Sequence, residues 1–336
     1  MNALLDGMRI LDAGIWRPVP HATQLLADLG ATVLKLEPPK GDPMRGFPEI
    51  FDDVAAGKRS VVVDLRSDEG RAIALSLVRD ADVFTEGWRP GVAARLGVGY
   101  DDVRAVNPSI IYCSLSGYGQ TGPLAAVPGH DLNYQALAGA IARREGEPPV
   151  MPILPVADLA GATVLALVIA AAWARKLQTG EGEYVDVSMA EVVASWRGAR
   201  SGTRVADRDE PMRGSAGYGV FQCADGAWLT LGVIAEDHFW TAVCDALGLD
   251  DLRSIAYVDR LSRVEALNER VGAAVAALPS AEALRALRDA GAPVAPVLRP
   301  EDAPRRDGFP ARFGVHAPTP RASAPAMDEH RNDPWG

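Results

Sequence analysis

Two short stretches hold side chains suited to moving a proton. Residues 128–139 read PGHDLNYQALAG and residues 155–167 read PVADLAGATVLAL. If Asp131 opens a helix, the three-or-four-residue spacing brings His130, Asn133, Tyr134 and Leu137 near one another. His130 then stands either as a cap beside a surface loop or as half of an acid–base site. Asp158 heads a long apolar run. As an N-cap it would accept backbone N–H bonds, and the helix dipole would favour its charged form. In so apolar a setting a base or a nucleophile could be presented in the same way. Free carboxyl and imidazole groups titrate near roughly 3.9 and 6.5, so one of each can hold opposite protonation states near neutral pH. Neither stretch decides between its two readings alone.

Arginines supply a second clue. Arg66 follows RSVVVDL, and Arg89 and Arg95 lie in WRPGVAARLG just after DVFTEG. Loops at the carboxyl ends of parallel strands are where such sheets bind ligands, and three arginines there suit a phosphorylated one. Solvated arginines on short helices are the plain alternative. GYGQTG at 117–122 matches a dinucleotide-binding fingerprint, but Pro123 follows where that fingerprint needs a helix. The five histidines form no pair at ligand spacing and no Cys-x-x-Cys occurs, so no metal site is expected. The hydrolase elbow G-x-S-x-G is missing as well.

The elements around these residues alternate. Strands are expected at 8–14, 31–37, 59–65, 82–87, 110–117 and 183–189, and helices at 20–30, 67–81 and across the run 159–174. Apolar strands separated by helices imply an α/β chain with a parallel sheet covered on both faces. The run 159–174 is shorter than the roughly 20 residues that span a bilayer, and it is read as a buried helix. Polar, aperiodic residues 197–216 read as a linker. Beyond them, YGVFQC-ADG-AWLTLGV reads as a hairpin with an Asp-Gly turn. Helices at 236–247, 262–277 and 280–290 and a strand-like APVAPVL complete a smaller α+β domain. The domains are drawn at 1–196, 217–298 and a return segment 299–336.

A chain of 336 residues is long enough for two domains. With 34 basic against 44 acidic side chains, a net charge of −10, it suits neither nucleic acid nor an anionic membrane as partner. Three scattered cysteines imply no disulfide framework, and the start MNALLDGMRILDAG lacks the pattern of a signal peptide, so the cytoplasm is the expected location.

LLADLGATVLKLEPPKGDPMR, KRSVVVDL, EGWRPGVAARLGVGYDDV, NPSIIYCSLSGYGQTGP, GHDLNYQALAG and RKLQTGEGEYVDVSM, in this order over residues 8–190, resemble the class III CoA-transferase (CaiB/BaiF) family, which includes the alpha-methylacyl-CoA racemases. The resemblance implies a Rossmann-like large domain, a small domain and an interlocked homodimer acting on an acyl-CoA. Coenzyme A enters as part of the substrate, and no other cofactor is implied. Arg66, Arg95 and the Gly87-Trp88-Arg89 stretch would contact the CoA nucleotide, with Tyr134 beside the substrate. Transferases of the family use the aspartate matching Asp158 as a nucleophile. Racemases use it together with a histidine matching His130 as two bases on opposite faces of the acyl α-carbon. Histidine at 130, PHA at 20–22 and only Gly232 in LGVIAEDHFW favour the racemase branch. Glu236 would orient His130, and backbone N–H groups at the Asp158 helix head would stabilise the enolate. Two residues depart from the pattern. Pro38 stands where an arginine is usual, with Lys35 or Arg45 as substitutes, and Arg17 stands near the expected thioester, where it could recognise an acidic acyl group.

Overall fold

A computed structural model describes residues 3–141, 148–196, 215–304, 308–311, 313–314 and 318–336. The chain divides into two compact units, residues 1–199 with 306–336, and residues 200–305. Most of the expected linker, 197–214, lies outside the described residues.

The first unit runs β1 (Arg9–Asp12), α1 (Pro18–Asp28), β2 (Thr32–Glu37), α2 (Pro48–Ala55), β3 (Arg59–Val62), α3 (Asp68–Val78), β4 (Val83–Glu86), α4 (Val92–Arg95), α5 (Tyr100–Val106), β5 (Ile111–Ser116), α6 (Asp131–Leu137), α7 (Val156–Thr179), β6 (Glu183–Ser188) and α8 (Met189–Trp196). The six strands form one parallel sheet in the order β3-β2-β1-β4-β5-β6. Side chains alternate across it. Ile10, Ile111, Cys113 and Leu115 join Val19, Leu26, Leu165 and Ile169 on the face covered by α1 and α7. Leu11, Ile110 and Tyr112 join Leu77, Val78 and Val103 on the face covered by α3 and α5. Period-two alternation between two apolar layers is why these strands read as nearly continuous hydrophobic runs. Ser67 caps α3 by accepting a hydrogen bond from the Gly70 N–H at 3.0 Å. The order of strands reverses between β1 and β4, which places the crevice for a ligand at their carboxyl ends.

Two ion pairs are sealed beneath that crevice. Lys35 pairs with Asp42 at 2.7 Å and Lys58 with Asp12 at 3.1 Å, and all four side chains are 0% exposed. The Lys35 Nζ also donates to the Gly14 carbonyl at 2.8 Å, while Asp42 Oδ1 accepts from the Trp16 N–H at 3.1 Å. Residues 14–17 are thereby clamped from both sides. Trp16 is held at φ 62, a left-handed conformation uncommon outside glycine. That clamp aims Arg17, the residue preceding α1.

α7 corrects an expectation. It has 24 residues and enough apolar character to cross a membrane by length and composition, yet it is not wholly buried. Ala157, Ala160, Gly161, Leu165 and Ile169 pack inward, whereas Leu167 and Leu177 are each 67% exposed. The helix is a core element along one face and bare along the other.

The described part of the C-terminal segment packs on the first unit. Arg321 pairs with Asp28 at 2.7 Å, the Val62 N–H donates to Asp328 Oδ1 at 2.7 Å, and Trp335 joins the apolar layer under α3.

The second unit holds β7 (Tyr218–Gln222), β8 (Trp228–Gly232), α9 (Asp237–Leu247), α10 (Tyr257–Arg260), α11 (Val264–Ala276), α12 (Ser280–Asp289) and β9 (Val294–Pro296). Its antiparallel sheet, β7-β8-β9, turns at Asp225-Gly226, with Gly226 at φ 81. Trp240, Val243, Val271 and Leu287 form its core.

Candidate active site

Two cavities open at the carboxyl edge of the parallel sheet. One, of about 710 Å³, is lined by Ala13, Leu36, Lys40, Val63, Arg66 and Trp88 among others. The second, of about 450 Å³, is bounded by Gly87, Arg89, Ser116, Gly129, His130 and Tyr134, and again by Trp88. The indole of Trp88 is therefore a shared wall. Its position is fixed locally: the Trp88 N–H donates to Glu86 Oε2 at 2.7 Å, and the Ser114 hydroxyl donates to Glu86 Oε1 at 2.5 Å. Burial pushes the Glu86 carboxyl up to about 7, against the pull of those two hydrogen bonds. Nothing in the strand DVFTEG hinted at this support beyond an acidic residue closing an apolar run.

His130 is the N-cap of α6, exposed, with its backbone N–H donating to Asn133 Oδ1 at 3.0 Å. Tyr134, one turn on, is buried. Its hydroxyl donates to the Gly129 carbonyl, and its ring meets Tyr118 edge-on at 5.1 Å. A Cβ at Gly117 would lie 2.3 Å from that ring and one at Gly129 2.7 Å from it. The first glycine of GYGQTG thus makes room for Tyr134 rather than for a phosphate, and residues 117–130 form no helix.

Asp158 does not cap α7. It sits at the third residue of the helix, half-buried, and Pro155 is the N-cap. The cap comes from elsewhere in the sequence: Asp131 Oδ1 accepts from the N–H of Ala157 at 2.8 Å and of Asp158 at 3.2 Å. Asp131 Oδ2 accepts from the Gln135 side chain at 2.6 Å. The remaining head donors are also engaged, Val156 with Leu154 O at 2.9 Å and Leu159 with Pro155 O at 3.0 Å. Backbone donors at this helix head are therefore not open to an enolate, contrary to expectation. Burial raises the Asp158 carboxyl first, the Asp131 charge adds to the rise, and the Arg17 guanidinium pulls against both, leaving it at about 7. His21, beside Arg17 and Lys58, is driven down to about 4 chiefly by burial and so stays neutral.

Asp131 and Tyr134 on α6 and Arg17 ahead of α1 thus act on Asp158, while His130, next to Asp131 in the chain, lines the smaller cavity; Asp158 and Arg17 line neither of the two cavities. Arg66 and Lys40 lie at the larger cavity and Arg89 at the smaller. Arg95 is exposed at the end of α4 and lines neither, although its neighbours Val92 and Leu96 do. Lys35 and Arg45 are not substitutes for a missing arginine at 38. Lys35 is sealed against Asp42, and Arg45 pairs with Glu37 at 2.5 Å. Lys40, three residues from the paired Glu37, was the missed cation. Glu236 belongs to the second unit, where it stands at the N-cap position of α9 without a side-chain bond to the helix and accepts from the Ile234 N–H at 3.2 Å. Among the described residues no group of three or more His, Cys, Asp or Glu could hold a metal ion.

Comparison with known proteins adds to this geometry. The family model described as CoA-transferase family III matches residues 5–330. An acetyl-CoA:oxalate CoA-transferase of Acetobacter aceti is 33% identical, over 96% of this chain and 93% of its own. The alpha-methylacyl-CoA racemase of Homo sapiens is also 33% identical, over 73% of this chain and 66% of its own. The solved structure of a hypothetical protein from Mycobacterium tuberculosis superposes with a TM-score of 0.87 at 28% identity, covering 99% of this chain and 100% of that one.

Proposed function

The chain belongs to CoA-transferase family III, whose members act on acyl-CoA substrates, and from that premise we propose that it racemises or epimerises the α-carbon of a 2-methyl or other 2-substituted acyl-CoA by two-base proton transfer. The supporting observation is the meeting of the α6 and α7 heads, which puts an imidazole and a carboxyl at neighbouring helix starts. A carboxyl near 7 suits a group that must both take and return a proton at neutral pH. One of His130 and Asp158 removes the α-proton, and the other delivers a proton to the opposite face. Arg17 supplies positive charge beside the developing enolate.

The CoA nucleotide occupies the larger cavity, between Lys40 and Arg66, and the pantetheine passes Trp88 towards His130. Because His130 is exposed, proton transfer sheltered from water calls for a cover. We assign that cover to a second copy of the chain. The bare face of α7 and the exposed side chains of Met151, Ile153 and Trp196 support a homodimer. Glu236 keeps its proposed role of orienting histidine within that dimer, and the cytoplasm remains the proposed location.

A second reading has its own support. The transferase relative is matched over more of its length than the racemase, and Arg17 is charged to bind an acidic acyl group. In that case Asp158 is the nucleophile. Incubating chiral 2-methylacyl-CoA substrates in deuterium oxide separates the two. Racemisation washes deuterium into the α-position without loss of CoA, and His130→Ala abolishes it. No exchange across a panel of acyl groups, with an Asp158 thioester trapped by hydroxylamine, would overturn the racemase reading.

A further inference from the structure

We propose that Asp131 is a positioning residue for the site: its carboxylate ties the head of α6 to the head of α7, which sets His130 and Asp158 in register, and it holds one negative charge beside Asp158. The proposal rests on the reading above that Asp158 is the group that acts on the substrate, whether as a base or as a nucleophile.

The geometry carries the argument. Asp131 is adjacent in sequence to His130, and one of its oxygens accepts both the Ala157 and Asp158 N–H groups, at 2.8 and 3.2 Å. Its second oxygen is occupied by Gln135 Nε2 at 2.6 Å, and that same nitrogen donates to Leu154 O at 3.2 Å, just ahead of α7. Gln135 is buried, so the pair forms a two-stranded tie between the helix heads rather than a solvated contact. With all donors of Asp131's two oxygens coming from α7's first turn and from Gln135, the carboxylate has no open role as a base. Its effect reaches the substrate through Asp158.

Charge is the second effect. The elements packed on α7 are α1, α6, α8, β5 and β6. From them, the ionisable groups acting with Asp158 are Asp131 and Tyr134 on α6 and Arg17 at the head of α1. Asp131 and Arg17 oppose each other, so removing either charge moves Asp158 in a known direction. Asparagine at 131 retains an oxygen for the two N–H groups, but it loses the charge and sets an NH2 against Gln135 Nε2, so the Gln135 strand is lost; alanine loses the charge and both strands. The two substitutions therefore separate tethering from electrostatics.

The experiment compares wild type, Asp131→Asn and Asp131→Ala as full-length proteins. The Asp158 carboxyl is titrated by carbon-13 NMR of aspartate-labelled protein, with Asp158→Asn identifying its signal. Alongside it, the pH profile of kcat/KM for α-deuterium exchange is recorded in the direction in which Asp158 takes the proton. Asp131→Asn should move the Asp158 titration, and with it the acidic limb of the profile, down by about one pH unit, with a smaller loss of Tm than Asp131→Ala. Asp131→Ala should move the titration in the same direction and also lower kcat at its best pH by about tenfold to a hundredfold, because a misplaced reacting group is costly even at about 1 Å. An unmoved titration in Asp131→Asn overturns the electrostatic half. An alanine variant with the kcat of the asparagine variant overturns the tether. If the wild type exchanges no deuterium, the functional reading fails by itself, and the NMR titration and the Tm of the two variants still decide the role of Asp131.

Discussion

Replacing Lys35 by methionine tests whether the sealed ion pairs hold the loop that aims Arg17. Methionine keeps most of the aliphatic stem and deletes the ammonium group. What is lost is the 2.7 Å pair with Asp42 and the 2.8 Å bond to the Gly14 carbonyl, in a place where both charged side chains are 0% exposed. Removing one partner of a buried pair leaves the other charge without compensation, which costs about 3–5 kcal/mol. For a unit of this size each kcal/mol lowers the Tm by roughly 2–4 °C, so the expected drop is roughly 6–20 °C. Lys35 also acts on its neighbours: burial alone would raise the Asp12 carboxyl, and Lys58 together with Lys35 brings it below its ordinary value. Lys35 also repels Lys58, so its removal weakens the support of Asp12 and eases Lys58 at once, and the loss falls mainly on Asp42. Adding Asp42→Asn to the variant removes the stranded charge and keeps an oxygen for the Trp16 and Met44 N–H groups. The double variant should regain about half of the loss, whereas Asp42→Asn alone should destabilise. Calorimetry of the full chain reads all three variants. A Lys35→Met protein within about 1 kcal/mol of wild type, or a double variant whose loss equals the two single losses added together, would refute the reasoning.

Two further outcomes follow from the same geometry. Glu86 is raised to about 7 by burial, so the folded state holds its proton after the unfolded chain has released it. The stabilisation it contributes is complete below about 4.5 and is lost as pH rises through 7. In Glu86→Gln that part of the pH dependence disappears, and urea unfolding at pH 4, 6 and 8 should show the difference between wild type and variant changing across that window. Gly117→Ala puts a methyl group 2.3 Å from the Tyr134 ring and should cost about 1–3 kcal/mol while displacing α6, read as a lower Tm together with lost α-deuterium exchange.

The parallel sheet was legible because its strands are short apolar runs separated by helices with recognisable starts, such as Ser67-Asp68-Glu69 at the head of α3. The hairpin of the second unit was legible in Asp225-Gly226. His130 and Asp158 could be singled out by residue type and resemblance. Their arrangement could not. The cap on α7 comes from Asp131, 26 residues before Ala157, and no local pattern links a carboxylate to a helix head so far along the chain. The sealed pairs of Lys35 and Lys58 escaped for the same reason, since a lysine inside a strand, as at 35, or just ahead of one, as at 58, reads as a residue facing water. The bare face of α7 was hidden by its composition: alanine and leucine appear on the packed and unpacked sides alike, leaving little periodicity to show which faces inward. Arg45 illustrates the converse, a cation near a crevice in sequence that is already paired, and Arg95 is exposed beside the larger cavity without lining it.

The bridge from Asp131 to the start of α7 has a consequence for the connection between the two helices, since α6 ends at Leu137, α7 begins at Val156 and their heads are held together. A stretch whose two ends are pinned together is a closed excursion, and its length is free of the spacing between its ends. Doubling it would add only about 0.6 kcal/mol of closure entropy. The length of that connection is therefore no part of what aims the imidazole and the carboxyl, so long as the Leu154 carbonyl held by Gln135 is kept.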